Sequence, residues 1–176
     1  VALDPPPAVP IAVLVADPTG AVGGIYVERA LTVAGDGREF SVTVADGRVP
    51  VWEKLVYLAT FAALTGAARR PAGAIWSDPV GREVFMSVAA EVEAVARAEG
   101  VDIAGDIRER IAAYMDALPA STRSSLLIDL QQGKRTEVEA LQGAVVRRAA
   151  AHGVPAPGMR ALYAALRAAD RGQRSG

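Results

Sequence analysis

Residues 51–64 read VWEKLVYLATFAAL, and this stretch determines much of what the chain can become. After Lys54 almost every position is apolar. Apolar residues on all sides of a helix indicate that the helix is buried nearly all round. The stretch therefore predicts a core helix over residues 51–66, with Lys54 at the mouth of the core.

Lys54 is unusual because the chain has 19 basic residues and only two of them are lysine. An ammonium group held against apolar surface has a tunable pKa and can donate a proton, which a guanidinium effectively cannot do. The plain alternative is a lysine in the first helical turn whose head group simply reaches water. The shortage of other lysines favours a functional role for Lys54.

The composition argues against several classes of protein. Hydrophobic residues make up 51% of the chain and the formal net charge is -1, which allows a sizeable core but indicates no nucleic-acid-binding surface. There is no cysteine, and the one histidine, His152, lies at a predicted helix end, which argues against a metal site and a Ser-His triad. No apolar run is long enough to span a membrane, and the start of the chain lacks the features of a signal peptide. We therefore expect a soluble, cytoplasmic protein with no bound metal.

The chain divides into two parts with different sequence patterns. β-branched residues alternate with turn residues over residues 1–47, which predicts a short antiparallel β segment. The periodicity then becomes helical, which predicts a mainly α domain of about six helices over residues 48–171, followed by a flexible tail at residues 172–176. The predicted strands cover residues 11–16, 25–33 and 39–44, and the predicted helices cover residues 51–66, 80–99, 104–117, 122–132, 137–152 and 158–171.

Four blocks of sequence, in order, resemble the C-terminal domain of ketopantoate reductases. The blocks are VWEKL at residues 51–55, SSLLIDL at residues 124–130, GKRTEVEALQG at residues 133–143 and HGVPAP at residues 152–157. The resemblance runs from about residue 48 to residue 171. It implies a helical fold like the C-terminal domain of 6-phosphogluconate dehydrogenase, and an enzyme that reduces a small carbonyl-bearing metabolite.

The same resemblance implies roles for four residues. Lys54 would be the general acid that protonates the carbonyl oxygen as hydride arrives. Glu137 would be the partner of Lys54 or would anchor the substrate, and Ser125 would donate its hydroxyl to a carboxylate or hydroxyl group. Ser124 is an adjacent candidate for substrate binding.

The residues themselves allow both functional and structural readings. Ser124 and Ser125 precede an apolar run, where the free N–H groups and dipole of a helix start favour an anion. Serines at this position are also ordinary helix caps. Thr136 and Glu139 have the spacing of a capping box, which predicts a helix that begins near Glu137. Carboxylates at such a start are favoured electrostatically without any catalytic role.

Two positions depart from the family pattern. Ketopantoate reductases have asparagines one and two turns after the lysine, where they line the substrate cleft. Here those positions are Leu58 and Ala62, and a spacing of four and eight residues puts both on the Lys54 face of the helix. We expect this face to contact a substrate that is larger and more apolar than ketopantoate.

A second departure lies at the front of the chain. Ketopantoate reductases bind NADPH on an N-terminal Rossmann domain with a G-x-G-x-x-G motif, and the residues before Lys54 contain no such motif. We therefore expect this chain to bind no cofactor alone and to use NADPH only with a separate Rossmann domain. That domain could belong to a longer polypeptide or to a partner protein. The helical domain could instead serve a cofactor-free cyclase, dehydratase or isomerase, or a non-catalytic ligand-binding or dimerisation module.

The expected partners are a small-molecule substrate and a second copy of the chain. The helix over residues 52–64 is too apolar to be covered on one side only. Alanine-rich faces on the second and last predicted helices would allow close helix approach across a twofold axis. Those faces include Ala89 and Ala96 in the second helix, and Ala161 and Ala165 in the last.

Overall fold

The computed structural model describes residues 13–16, 22–25 and 48–174. Contacts between residues divide the chain into two compact units, residues 1–51 and residues 52–176. The boundary falls inside the first helix, close to residue 48, where the sequence pattern changes from strand-like to helical.

Two short strands, β1 (Val13–Ala16) and β2 (Val22–Ile25), pair in an antiparallel sheet. Val13 lies opposite Ile25, and Ala16 lies opposite Val22. β1 lies within the first predicted strand, whereas β2 begins before the second predicted strand and shares only Ile25 with it. β2 contains two glycines, so its pairing with β1 could not be predicted from β-branched residues. The remainder of the second predicted strand, and the third, lie outside the described residues.

The rest of the described chain is helical, which confirms the prediction of a mainly α fold. Seven helices are present among the described residues, compared with about six predicted. They are α1 (Arg48–Ala68), α2 (Ala72–Trp76), α3 (Pro79–Ala98), α4 (Ile107–Ala117), α5 (Ser125–Gln131), α6 (Gln142–Ala151) and α7 (Pro157–Arg174). Over these residues, no helix combines the length and the apolar character needed to cross a bilayer.

Helix α1 is the buried helix that the sequence predicts. Every residue from 59 to 66 is buried. The helix begins before the predicted start, and its first turn includes Pro50, which the first turn accommodates because those backbone N–H groups have no helical partner. It ends at Ala68, where Arg69 takes a left-handed φ of 55° and its N–H donates to the carbonyl of Gly66. This ending turns the chain sharply after the core helix.

Helix α2 was not predicted because five residues are too few for a helical period to be recognised. It is held by the loop before α5: the N–H of Ala72 donates to Thr122 O, and the N–H of Gly73 donates to Ala120 O. Helix α3 starts within one residue of its prediction. Asp78 caps it by accepting a hydrogen bond from the N–H of Gly81.

The core of the helical unit surrounds α3, which contacts α2, α4, α6 and α7. Its inward side is apolar and closed to solvent, and consists of Phe85, Val88, Ala89, Val92, Val95 and Ala96. The sequence suggested that Ala89 and Ala96 would face a second copy of the chain. That suggestion is wrong, because this face is buried inside its own subunit.

Helix α6 begins at Gln142, not near Glu137 as the capping-box pattern predicted. The reason is a tertiary contact that the pattern could not reveal. The N–H and the hydroxyl of Thr136 both donate to Asp170 Oδ1 on α7, at 3.2 Å and 2.8 Å. Because the Thr136 hydroxyl donates to Asp170, which is 34 residues further along the chain, it does not cap a helix. The segment after it forms turns instead, and Glu137 lies in those turns.

The ends of the remaining helices lie within three residues of their predicted positions. Helices α4 and α5 begin three residues later than predicted, at Ile107 and Ser125. Helix α7 continues to Arg174, beyond the predicted end at residue 171 and into the segment predicted as a flexible tail. Helix α5 is only seven residues long. The dipole contribution expected at its start is correspondingly small.

Candidate functional site

Lys54 is exposed in the second turn of α1, before the fully buried part of the helix begins at Ala59. At about 100° per residue, the positions closest to its own direction on the helix are those of Leu58, Phe61 and Thr65. The Lys54 face therefore begins in solvent and continues into the core. This is the location that the sequence predicts for a lysine at the mouth of a core.

An ion pair with two hydrogen bonds joins α4 to the N-terminal half of α1. The guanidinium of Arg110 donates to both carboxylate oxygens of Glu53, at 3.2 Å and 3.0 Å. This hydrogen bond raises the pKa of Arg110. The pair fixes α4 next to the turn of α1 that carries Lys54.

Aromatic rings line one side of the Lys54 face. Tyr57, one turn after Lys54, stacks on Phe61 with ring centroids 5.4 Å apart. It also meets Tyr114 of α4, which is half exposed. An aromatic surface that reaches solvent beside an exposed ammonium group can contact an apolar or aromatic part of a ligand.

Leu58 and Ala62 differ in accessibility. Leu58 is half-buried, whereas Ala62 is 1% exposed. The open part of the Lys54 face therefore ends between these two residues. A ligand beside Lys54 could touch Leu58 directly, but reaching Ala62 would require neighbouring side chains to move.

The two serines have different environments. Ser124 is the buried N-cap of α5, and its Oγ accepts a hydrogen bond from the N–H of Leu127 at 3.1 Å. The same Oγ lies 2.7 Å from Thr65 Oγ1 on α1. Ser125, the first residue of α5, is exposed. Ser124 is thus the ordinary cap that the sequence left open as an alternative, and Ser125 remains available to a ligand.

The C-terminal part of α1 holds α5 in two further ways. Arg69 Nη1 donates to the carbonyl of Leu130 at 3.2 Å. Between these polar contacts, Gly66 lies so close to Leu126 that a Cβ at position 66 would overlap the leucine side chain. The exposed Ser125 is therefore attached to a short helix that is bonded at one end to α1 and at the other to Arg69, the residue after α1.

Glu137 is exposed in the turn between α5 and α6. Its backbone carbonyl accepts hydrogen bonds from the N–H groups of Ala140 and Leu141, both at 3.0 Å. The turn is fixed before Glu137 by the bonds of Thr136 to Asp170. These contacts position the backbone of Glu137 and leave its carboxylate at the surface.

Gln142 fixes the other end of this turn against α1. Its side chain is 0% exposed, and Nε2 donates to the carbonyl of Ala59 at 2.9 Å. Gln142 Oε1 is buried without a hydrogen-bond partner in the structure, as is the hydroxyl of Thr60. Reversing the amide would bring Oε1 against a carbonyl oxygen, so the donating orientation is the one that fits.

Glu139 lies two residues after Glu137 but belongs to a separate surface cluster. Its carboxylate accepts hydrogen bonds from Tyr163 at 2.9 Å and 3.0 Å, and forms ion pairs with Arg147 and Arg167. The bond from Tyr163 is the main cause of a lowered pKa for Glu139. The two glutamates of the T-E-x-E segment thus have different surroundings.

Helix α1 is the element that the candidate residues share. It carries Lys54 and Leu58 itself, it bonds through Thr65 to the cap of the helix that begins with Ser125, and it bonds through the carbonyl of Ala59 to the helix that follows Glu137. The connecting residues Thr65 and Gln142 were missed by sequence reasoning. The signal available was the presence of a polar residue within an otherwise apolar segment.

Within the described part of the chain, no three His, Asp or Glu side chains are grouped as a metal-binding set. Two helix starts that could face a phosphate are occupied by carboxylates. Asp78 accepts from the start of α3, and Glu91 accepts from the N–H groups of Gly158 and Met159 at the start of α7, both at 2.8 Å. A pyrophosphate requires free N–H groups at such a position. These helix starts do not fit a dinucleotide.

The chain is similar to 2-dehydropantoate 2-reductases over about three quarters of its length. It is 40% identical over 135 residues to the 2-dehydropantoate 2-reductase of Halobacterium salinarum, which covers 77% of this chain and 44% of that protein. The chain spans about half the length of the curated relatives it matches.

Solved structures have the same fold. The ketopantoate reductase of Ralstonia eutropha is 34% identical with a TM-score of 0.70, over 76% of this chain and 44% of that one. A dimeric ketopantoate reductase of Staphylococcus aureus is 26% identical with a TM-score of 0.70, over 75% of this chain and 46% of that one. These similarities confirm the helical fold that the resemblance implied.

The family described as ketopantoate reductase PanE/ApbA C terminal matches residues 48–170. The match begins at the first residue of α1 and ends within α7, so it includes six of the described helices in full and most of α7. It also includes all four residues to which the resemblance assigned a role. This chain belongs to the ketopantoate reductase C-terminal family.

Proposed function

We propose that this chain is the substrate-binding and proton-donating part of a cytoplasmic, ketopantoate-reductase-like enzyme. Its substrate would be a small 2-oxo acid, and Lys54 would be the general acid. Relatives of this chain are named 2-dehydropantoate 2-reductases, so 2-dehydropantoate is the first compound to test. The chain spans only about half of those relatives, and the reaction requires a second, nucleotide-binding part.

One observation carries the proposal. Buried hydrogen bonds join α1, which bears Lys54, both to the cap beside Ser125 and to the helix that follows Glu137. Three polar groups from distant parts of the sequence are thereby attached to one rigid helix. Such rigid attachment is what a site needs in order to orient a small substrate.

The chemistry assigned to this chain is the transfer of one proton. Reduction of a carbonyl to a hydroxyl adds a hydride to the carbon and a proton to the oxygen. Lys54 would give that proton from its ammonium group, become neutral and recover a proton from water. Ser125 would donate its hydroxyl to the carboxylate of the substrate. Glu137 would either act as the partner of Lys54 or anchor a hydroxyl of the substrate.

NADPH would be held by a separate Rossmann domain, because the helix starts of α3 and α7 already bind carboxylates. A hydride from the nicotinamide is the only chemistry that the cofactor would supply. We therefore expect a calorimetric titration of this chain alone with NADPH to give no saturable binding. Saturable binding in the micromolar range would contradict this part of the proposal.

The substrate would be more apolar than 2-dehydropantoate. Leu58 replaces an amide that could hold a polar group, and the half-exposed ring of Tyr114 extends the apolar surface beside Lys54. A 2-oxo acid with a bulky hydrocarbon or aromatic group at C3 would bury that group here. Comparison of such compounds with 2-dehydropantoate at equal concentration tests this preference.

The protein would act as a homodimer, as the related Staphylococcus aureus enzyme is dimeric. The inward face of α3 is already buried, so the interface must use other surface. Val80 and Val84 at the start of α3 are 64% and 41% exposed and are available for it. Light scattering at micromolar concentration decides the question, since a mass of 18.2 kDa would indicate a monomer.

The decisive experiment joins this chain, from Arg48 onward, to the N-terminal part of the Ralstonia eutropha ketopantoate reductase. Loss of NADPH absorbance is followed with 2-dehydropantoate and with bulkier 2-oxo acids. The intact Ralstonia enzyme serves as the positive control, and the fusion carrying Lys54→Ala serves as the negative control.

We expect the fusion to consume NADPH only when a 2-oxo acid is present, and the Lys54→Ala fusion to be inactive. A folded fusion that consumes no NADPH with any of these compounds would overturn the proposal. If a substrate is instead converted without loss of NADPH, the cofactor-free acid-base reaction becomes the better explanation.

A further inference from the structure

The hydroxyl groups of Thr65 and Ser124 belong to a hydrogen-bond chain whose direction can be derived. Thr65 Oγ1 donates to the carbonyl of Phe61 at 2.7 Å. A threonine hydroxyl has one proton, so at its 2.7 Å contact with Ser124 it must accept. Ser124 Oγ in turn accepts from the N–H of Leu127 at 3.1 Å. The chain therefore runs from Leu127 through Ser124 and Thr65 to Phe61.

This direction separates the two serines functionally. Ser124 is 4% exposed and its only hydroxyl proton is directed at Thr65, so it has no proton left to donate to a ligand. Ser125 is exposed and is the residue that can donate. Of the two candidates from the sequence, Ser124 would therefore support the site and Ser125 would contact the ligand.

We propose that Thr65 is a positioning residue for Ser125. Its hydroxyl holds the start of α5 against α1 and so fixes the Ser125 hydroxyl relative to Lys54. This inference rests on the proposed function, because it assumes that Ser125 and Lys54 bind the same 2-oxo acid. Thr65 is 0% exposed and cannot touch a ligand itself.

The other contacts between α1 and α5 cannot replace this hydrogen bond. The contact of Gly66 with Leu126 is apolar, and apolar contact is not directional. The bond from Arg69 to Leu130 lies at the opposite end of α5, almost a full helix length from Ser125. Thr122, two residues before Ser124, is bonded to α2 and not to α1. The Thr65–Ser124 bond is thus the directional contact between α1 and the start of α5, and its loss would allow that end of the helix to move relative to α1.

The test measures the Kd of 2-dehydropantoate, and of the best bulkier 2-oxo acid, by calorimetry with the full chain. Thr65→Val removes the hydroxyl and keeps the shape, whereas Thr65→Ser keeps the hydroxyl. Ser124→Gly breaks the same bond from the other side, and glycine is tolerated well as a helix cap. Amide hydrogen exchange at Ile128, whose N–H donates to the backbone carbonyl of Ser124 at 3.1 Å, reports whether the start of α5 has loosened.

Two control variants separate positioning from general loss of stability. Thr60→Val also removes a hydroxyl from a fully buried threonine of α1, but the Thr60 hydroxyl has no partner in the structure. Val92→Ala creates a small cavity in α3, whose inward face lies in the core. Neither change affects the contacts of α5 described above.

We expect Thr65→Val and Ser124→Gly each to weaken binding about tenfold and to speed exchange at Ile128, while Thr65→Ser stays within about twofold of the original chain. Thr60→Val and Val92→Ala should bind normally. If Thr65→Val does not fold, Ser124→Gly and Thr65→Ser carry the same comparison.

The outcomes are distinguishable. An original chain that binds none of the 2-oxo acids would overturn the proposed function, and this inference with it. Normal binding by Thr65→Val and Ser124→Gly would overturn the inference alone. Equal weakening in Val92→Ala would also overturn it, because the effect would then come from lost stability.

Discussion

The ring of Tyr57 on α1 meets the ring of Tyr114 on α4 edge to face, with centroids 4.9 Å apart and planes at 80°. Aromatic pairs favour this geometry because the positive edge of one ring faces the negative surface of the other. Burial of Tyr57 and its hydrogen bond with Tyr114 raise the pKa of Tyr57 above the usual value for tyrosine. The neutral phenol is therefore favoured in the folded chain.

This pKa shift predicts a loss of stability at alkaline pH. Tyr57 has a higher pKa folded than unfolded, so its contribution is fully present below the unfolded pKa of about 10 and decreases as the pH rises above it. We expect the melting temperature to fall between about pH 10 and pH 12. Tyrosine absorbance should meanwhile report fewer ionised residues in the folded chain than in the unfolded chain.

Tyr57→Phe should make the alkaline part of this profile flatter, because the residue that releases a proton on unfolding is gone. Tyr163→Phe is the matched control, since Tyr163 bonds to Glu139 at the surface and not to the ring pair. A profile that is equally steep in Tyr57→Phe and the original chain would contradict the assignment.

Lys54→Arg should abolish the activity of the fusion enzyme as completely as Lys54→Ala. The proposed role requires a transferable proton, and arginine keeps the charge but does not release a proton near neutral pH. Because Lys54 is exposed, neither change creates a cavity, and the helical circular dichroism should remain unchanged. Near-full activity of Lys54→Arg would mean that Lys54 supplies only a positive charge and does not transfer a proton.

Glu137→Gln distinguishes two roles for that carboxylate. If Glu137 positions the substrate, we expect a higher KM with kcat within about tenfold, because glutamine can still accept a hydrogen bond. If it exchanges protons with Lys54, kcat should fall as far as in Lys54→Ala. Steady-state kinetics of the fusion at several substrate concentrations separate the two results.

Glu139→Gln is the control for Glu137, since it changes a carboxylate of the same turn region that is engaged by Tyr163, Arg147 and Arg167. It should alter stability slightly and leave the kinetics unchanged. If the two substitutions have the same kinetic effect, the predicted distinction between the two glutamates is wrong.

The sequence predicted those parts of the fold that local patterns determine. The apolar run of α1 and the Asp78-Pro79 start of α3 lie within a few residues of their expected positions. The start of α6 was misplaced, because Thr136 bonds to Asp170, which is 34 residues away. A local capping pattern carries no information about a distant carboxylate that binds the capping hydroxyl.

The candidate site was predictable to a similar degree. Lys54 and Ser125 were identified, and both side chains are exposed. The sequence could not reveal that Ser124 is directed at Thr65, since the two residues are 59 positions apart and only folding brings them together. It could not reveal either that Leu58 and Ala62, which share a helix face, differ in their exposure to solvent.

That difference leads to a prediction for the two positions where the family has asparagine. Ala62 is 1% exposed, so Ala62→Asn should destabilise the chain by about 1–3 kcal/mol through overpacking and a desolvated amide. Leu58→Asn should cost less stability, since Leu58 is half-buried, but should weaken binding of a bulky apolar 2-oxo acid. Leu58→Met is the apolar control and should bind normally. Thermal unfolding and calorimetry measure both effects, and an unchanged Kd in Leu58→Asn would exclude this face from the substrate site.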